Sequence, residues 1–416
     1  MQSGDNTGEQ WLLLLPRPPP DVSFHTLKVA YRPSLTAALK DASKVTKRAN
    51  ACTVLEVGVA FDVRMITKYF VMQTFFSLMY KLSCVVSSGL QIDLQYDNDV
   101  DVRFFLFADS SCQDVQAEKT SLFNLVELKA LAEYQKAWTT LCSEESESGE
   151  GLLQSFLHYR SHANFQTLPP LQVLRVPAGL SLRIESSPSQ VSLDSPEQVT
   201  GVGPQHRSVA VGGTFDHLHA GHKLLLTMTA LALFPVLNQE DTHDFRLTVG
   251  ITGDDLLKNK KHREQLESWE QRQSSVSTFL LNFLQISLPG VALNTKGKQA
   301  AIKSEAKGMM DELSLGLRIN YAEILDPFGP TVEDPNISAL VVSAETRAGG
   351  EAVNKKREEK GWAALEVFEV DVLDMEETEA PPGSEVRSED FQAKLSSTEI
   401  RSRISHRKAK ATPAQH

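Results

Sequence analysis

The stretch "VAVGGTFDHLHAGHKLLLTMTALAL" (Val209–Leu233) brings together residues with chemical capacity at a structural junction. An apolar run of strand type ends in Gly212 and Gly213, His217, His219 and His222 fall within six residues, and an apolar run of helical type follows. Glycines at a strand end allow a tight turn and close approach of a ligand to the backbone. A helix beginning near Gly221 or His222 would present free N–H groups and a positive dipole end, which suits phosphate. His219 and His222, three apart, can face one way across the first helical turn and add donors for anionic oxygens. A metal pair is the rival chemistry. However, metal-binding histidines usually keep carboxylate or thiolate company at fixed spacing, and only Asp216 is near.

The elements that would position this turn alternate strand and helix. Strands are predicted at Ser208–Gly213, Phe245–Thr252, Ile319–Leu325, Ser338–Thr346 and Leu365–Leu373. Near-continuous apolar strands separated by helices predict an α/β fold with a parallel sheet covered on both faces. Ligands bind outside the carboxyl ends of such strands, and the histidine turn sits at one of them. The first half also reads as α/β. Strands are predicted at Ala51–Phe61 and Val102–Asp109, and helices at Met65–Leu82 and Ser121–Leu141. No motif there attaches to chemistry. The acidic run Ser143–Gly151 reads as a solvated loop, and Ser186–Ser208, rich in Ser, Pro and Gly, as a linker. The expected division is an N-terminal α/β domain at 1–185, a linker at 186–207, a nucleotide-type domain at 208–405 and a tail at 406–416.

Composition narrows the classes. The 416 residues suffice for two or three domains with cores of their own. A net charge of −11 disfavours nonspecific binding to nucleic acid. No apolar run is read as reaching the ~20 residues that span a bilayer, so no transmembrane segment is expected. "WLLLL" (Trp11–Leu15) is too short, and wrongly flanked by Asp5, Glu9 and "PRPPP", for a signal peptide. Cys52, Cys84, Cys112 and Cys142 lack CxxC spacing, so buried reduced thiols of a cytoplasmic protein are expected rather than zinc ligands. No mitochondrial address is readable, and association with mitochondria is left open.

On these residues the chain resembles a known superfamily. "GTFDHLHAGH" (Gly213–His222) is similar to the T/HxGH signature of nucleotidyltransferases with a Rossmann-like fold, and "LSSTEIRSRI" (Leu395–Ile404) to their second, phosphate-gripping signature. "GITGDDLLKNKK" (Gly250–Lys261), "DPFGPT" (Asp326–Thr331) and "ALVVSAETRAGGEAVNKKREEKG" (Ala339–Gly361) resemble the eukaryotic and archaeal type of phosphopantetheine adenylyltransferase. The two-part layout resembles the front portion of bifunctional coenzyme A synthase.

The resemblance implies transfer of AMP from ATP to 4′-phosphopantetheine, giving dephospho-coenzyme A and pyrophosphate, with Mg²⁺ arriving on the ATP. It implies catalytic roles for His219 and His222 on the ATP phosphates, and for Thr214 on the attacking phosphate. Gly212, Gly213, Phe215 and Asp216 would border the substrates. Lys258, Lys260 or Lys261, and Arg347, would hold phosphates by charge. Ser396, Ser397 and Thr398 would grip the β- and γ-phosphates, with charge added by Arg401. Two alternatives stay open: a non-catalytic or regulatory form of the bifunctional protein, and a cytidylyltransferase with another phosphorylated acceptor such as phosphocholine. The protein partners of the N-terminal half are unknown.

The chain departs from the family in two respects. No GxxxxGK[ST] occurs, "KGKQA" (Lys296–Ala300) included, so dephospho-coenzyme A kinase activity is not expected. The polar segment Pro289–Glu312 reads as an insertion with some helical character.

Overall fold

The computed structural model describes residues 8–61, 69–94, 99–108, 126–163, 170–180, 206–233, 244–288, 291–299, 307–373 and 396–411. Most of the expected linker and Cys112 fall outside them.

The N-terminal half runs β1 (Gln10–Leu15), α1 (Phe24–Ala49), β2 (Thr53–Phe61), α2 (Tyr69–Leu90), β3 (Val100–Ala108), β4 (Val126–Glu127), α3 (Leu128–Glu133), β5 (Thr140–Glu144), α4 (Glu147–His162) and β6 (Gln172–Val176). Its sheet is wholly parallel, in the order β4-β3-β2-β1-β5-β6. The "WLLLL" run is therefore an interior strand, with all five residues buried, as a parallel sheet covered on both faces demands. Ser23 and Thr26 form a reciprocal cap that starts α1, and Asn50 in the left-handed region ends it.

The C-terminal half runs β7 (Ser208–Gly213), α5 (Ala220–Leu233), β8 (Phe245–Thr252), α6 (Trp269–Ser287), β9 (Leu293–Gln299), β10 (Gly308–Leu313), β11 (Leu317–Ile324), β12 (Ala339–Ser343), α7 (Arg347–Glu359), β13 (Glu366–Val370) and α8 (Ser397–Ala411). The second sheet has the order β13-β12-β7-β8-β11-β10-β9. Its first five strands are parallel, as the Rossmann-like reading requires. Strand order reverses between β7 and β12, and the crevice for a ligand in such a sheet lies outside their carboxyl ends.

The structure corrects several expected elements. Within 121–141, the described residues hold a two-residue strand, one short helix and the start of β5, not one long helix. The acidic run 143–151 is not a loop. Ser143 and Glu144 complete β5, and Ser146 caps α4 by accepting from the Gly149 N–H. Within 289–312, the described residues form two antiparallel strands, β9 and β10, added at the sheet edge and not helix. Buried Asp311 pins them by accepting from Ser277 Oγ, Tyr321 OH and the Gly297 N–H. The expected tail is helical through Ala411. Contrary to the reading of apolar runs, α2 is long and apolar enough to cross a membrane by length and composition, yet it packs against α1 and α5.

One connected core spans both sheets, and a smaller separate cluster gathers Ala210, Ile337, Leu340, Val342, Val353 and Leu365. Cys84 and Cys142 are buried in the N-terminal half, and burial raises their thiols to about 11 and about 12. Between the halves, α2 packs on α5 and β3 on α6, and Tyr69 OH donates to the Met228 carbonyl at 3.2 Å. Lys223, in the first turn of α5, lies 2.5 Å from Asp101 Oδ1 on β3 and also reaches the Val102 carbonyl. Both charged side chains are 1% exposed. Burial alone would raise the Asp101 carboxyl, but the Arg103 and Lys223 charges outweigh it and hold the group at about 2.

Candidate active site

β7 delivers the chain to the crevice, and a six-residue turn carries it into α5. The strained positions in this turn are not the glycines. Phe215 has φ +52° and His217 φ +48°, left-handed values that cost a side-chain-bearing residue of order 1–3 kcal/mol. Gly213 matters for space, since a Cβ there would sit 3.0 Å from the Phe215 ring.

Surrounding groups hold the turn in place. The fully buried Arg272 guanidinium donates to the Thr214 and Thr252 carbonyls, each at 2.8 Å, and pairs with Asp254 at 2.6 Å. Glu267 Oε2 accepts from the His217 N–H at 2.6 Å, and His217 Nε2 meets the Gln265 carbonyl at 2.7 Å. His217 is thereby committed to the wall of the turn, apart from the other two histidines.

His219 and His222 do come together. Their rings stack at a centroid distance of 3.8 Å and an interplanar angle of 18°. Gly221 makes this possible, because a Cβ between them would lie 3.2 Å from the His219 ring. Phe215 packs beside His222 at 5.4 Å. Burial, then the neighbouring histidines and Lys223, holds His219 well below the usual imidazole range. Burial, then His217, takes His222 down to about 3. Both rings are therefore neutral at physiological pH. In each, Nδ1 is buried with no partner among the described residues, which leaves two polar atoms free to meet a ligand.

The second signature reaches the same place from 175 residues downstream (397 less 222). Ser397 Oγ, at the start of α8, donates to the Asp216 carbonyl at 2.9 Å and lies 3.5 Å from His219 Nε2. Ser396 Oγ accepts from the Glu399 N–H, as a helix-capping residue does.

Three expected contact residues are turned inward. Asp216, 0% exposed, accepts from the Glu267 N–H and from Arg401 Nη1. Arg401, 2% exposed, also donates to the Lys261 carbonyl and to Thr398 Oγ1. This pair ties α8 to the histidine turn, so neither side chain faces a ligand. Phe215 is fully buried beneath the turn.

The expected phosphate holders on the surface are only partly free. Lys258 pairs with Asp255 at 2.7 Å, and Arg347 pairs with both oxygens of Glu369. Lys260 and Lys261 are exposed, and Gly212 lies exposed at the strand end. Thr214 is half-buried beside the turn.

Sequence reasoning missed Arg272, Glu267 and the contribution of the N-terminal half. The one available signal was Lys223, a lone cation in a helix that otherwise reads "LLLTMTALAL". A cavity of about 330 Å³ opens beside His219, between the end of α2 and α8. Among the described residues, no cluster of His, Cys, Asp and Glu is arranged to hold a metal ion.

Comparison with known proteins matches the chain in part. Residues 1–182 match a family described only as a domain of unknown function (DUF8446). The chain is 35% identical over 196 residues to an uncharacterized protein of Schizosaccharomyces pombe, a stretch covering 47% of each. It is 36% identical over 192 residues to the phosphopantetheine adenylyltransferase of Saccharomyces cerevisiae, covering 46% of this chain and 47% of that one. It is 30% identical over 167 residues to the phosphopantetheine adenylyltransferase of Pyrococcus horikoshii, covering 40% of this chain and 79% of the archaeal one. The match thus spans about half the length of the two fungal relatives.

Proposed function

Because the chain belongs to the phosphopantetheine adenylyltransferase family, we propose that it transfers AMP from ATP to 4′-phosphopantetheine, giving dephospho-coenzyme A and pyrophosphate. An oxygen of the acceptor phosphate attacks the α-phosphorus of ATP. A new P–O bond forms there, and the bond to the β-phosphate oxygen breaks to release pyrophosphate. No side-chain nucleophile is needed, so catalysis reduces to alignment and stabilisation of charge.

The observation that supports this most directly is the stacked His219–His222 pair at the N-terminus of α5, joined by Ser397 from α8. Neutral imidazoles are fixed hydrogen-bonding groups whose buried, unpartnered atoms gain partners when phosphate oxygens arrive. Preorganised donors of this kind are typically worth about 2.7–4 kcal/mol each in a transition state. Thr214 guides the acceptor phosphate, and Ser396, Ser397 and Thr398 border the leaving pyrophosphate. Arg347 and Lys258 are engaged in exposed ion pairs, worth about 0–1 kcal/mol, so a polyphosphate recruits them at small cost. Mg²⁺ enters with the nucleotide. Among the described residues no cluster is arranged to cage it, Asp216 being engaged by Arg401 and the Glu267 N–H, and no step is routed through the ion.

The test is pyrophosphate release by the purified chain with ATP and 4′-phosphopantetheine, with CTP and phosphocholine as control. Release with the first pair alone, with dephospho-coenzyme A as product, supports the assignment. Release with the second pair moves it to a cytidylyltransferase. A folded chain that binds ATP and turns over neither pair points to a regulatory form.

A further inference from the structure

The N-terminal half presents a line of buried charge to the two helices that hold the site. On β3, Asp101 and Arg103 are two residues apart and so share a face of the strand. Arg103 donates to Asp101 Oδ2 through Nε at 2.9 Å and through Nη2 at 2.5 Å. On β2, Glu56 stands in register with Arg103. Lys136 and Trp138, on the approach to β5, donate to the two carboxylate oxygens of Glu56. Asp101, Arg103 and Glu56 are all buried. Both ends of the line reach the C-terminal half. Asp101 Oδ1 receives Lys223 Nζ from α5, and Lys136 Nζ reaches Asn282 Oδ1 on α6 at 3.1 Å.

We infer that Asp101 is a positioning residue for the transfer step: through Lys223 it fixes the first turn of α5, and with it His222, against the sheet of the N-terminal half. The inference rests on the transferase reading and gives the N-terminal half a part in it.

The geometry ties the carboxylate to the histidines in two steps. Lys223 directly follows His222, and its N–H donates to the His219 carbonyl at 2.9 Å, so its backbone belongs to the turn that stacks the two rings. Its ammonium is held at the far end by Asp101 Oδ1 at 2.5 Å and the Val102 carbonyl at 3.2 Å. A flexible four-carbon stem is thereby fixed at both ends. Asp101 is itself fixed, because Arg103 grips its other oxygen. The far end of the line serves the same site, since α6 carries Arg272, which holds the Thr214 and Thr252 carbonyls.

A purely structural role and a positioning role differ in what replaces the charges. Packed apolar side chains can take the place of a buried charged cluster with little loss of stability. Apolar contact has no direction, however, and does not hold the turn at a set distance. A displacement of about 1 Å at a catalytic group can cost about 10²-fold in rate.

The test uses the full chain with Asp101→Leu, Arg103→Met and Lys223→Met combined, which leaves Glu56 with Lys136 and Trp138. The thermal midpoint is expected to stay close to wild type, while kcat with ATP and 4′-phosphopantetheine falls about tenfold and both KM values hold. A folded triple variant whose kcat falls less than threefold overturns the inference. Should the triple variant not fold, Asp101→Asn carries the test. Its amide NH₂ must face either Lys223 or Arg103, donor against donor, so one cation loses its acceptor. Below its thermal midpoint its kcat is expected to fall threefold or more, and a smaller fall, or a change confined to KM, overturns the inference. If the wild-type chain shows no turnover, the transferase reading fails separately, and the nuclear Overhauser contact between the His219 and His222 rings still reads their placement. A contact present in wild type and lost in Asp101→Asn sustains the positioning role. A contact retained in the variant, or absent from both, overturns it.

Discussion

At the residue scale, the proposed chemistry rests on two neutral imidazoles, and two predictions follow from His222. His222→Ala removes a group already placed at the site, while the turn itself is held by Arg272, Glu267 and Asp216. Its kcat is expected to fall about 10²–10³-fold, with the circular dichroism spectrum and thermal midpoint close to wild type. A decline of less than threefold removes His222 from the mechanism. The second prediction concerns acid. An ordinary histidine of the unfolded chain takes up a proton near pH 6.5, whereas folded His222 does so only near pH 3. Its contribution to stability is therefore full above about pH 6.5 and declines as pH falls towards 3, by about 1.4 kcal/mol at pH 5.5. Glu144, raised to about 7 by burial, works in the opposite direction over part of that range. The difference between wild type and His222→Ala in urea unfolding at pH 7.5 and 5.5 isolates the histidine. His219, His222 and Ser397 were legible because their spacing is a pattern within short segments. The inward roles of Asp216 and Arg401 were not, because an ion pair between residues 185 apart leaves no local trace in a sequence.

At the element scale, the parallel strands of the C-terminal sheet could be read from their apolar runs, and their carboxyl ends located the site. No element was assigned to Trp11–Leu15, because a five-residue apolar run does not distinguish a strand from a buried helical turn. The β9–β10 pair is polar because it lies at a sheet edge, where charge discourages pairing with other chains, so it carries little of the apolar alternation that marks a strand. The element contact with most consequence is α5 on β3. Lys223→Ala leaves Asp101 with Arg103 as its one remaining cationic partner among the described residues, in buried surroundings. Breaking a buried pair in this way costs about 3–5 kcal/mol. Chemical denaturation should show a loss of that order, and a loss below 1 kcal/mol would mean that water reaches the pair. Because α5 carries His222 and begins next to His219, kcat is expected to fall along with stability.

At the scale of the whole molecule, the two sheets act as one body around the histidine turn. Their shared core, the Lys223–Asp101 pair and the cavity between α2 and α8 all cross the boundary at which the sequence suggested a linker. That continuity was invisible beforehand, because a pattern of apolar residues shows that a face is buried and not what covers it. Phe279 and Phe283 on α6 illustrate the point. They lie four residues apart on one helix, and the Arg103 guanidinium of the other half lies 6.0 Å from the Phe279 ring. Lys136 of the same half reaches Asn282 on that helix. Residues 206–411 produced alone would therefore expose apolar surface on α5 and α6, together with a lysine whose carboxylate has been removed. Exposed apolar patches of that kind drive association. The isolated half is expected to bind a hydrophobic dye and to elute as aggregates, and co-expression with residues 8–180 is expected to restore a soluble complex. A monomeric isolated half that turns over ATP and 4′-phosphopantetheine at the full-chain rate would show that the N-terminal half is dispensable both for the fold and for the site.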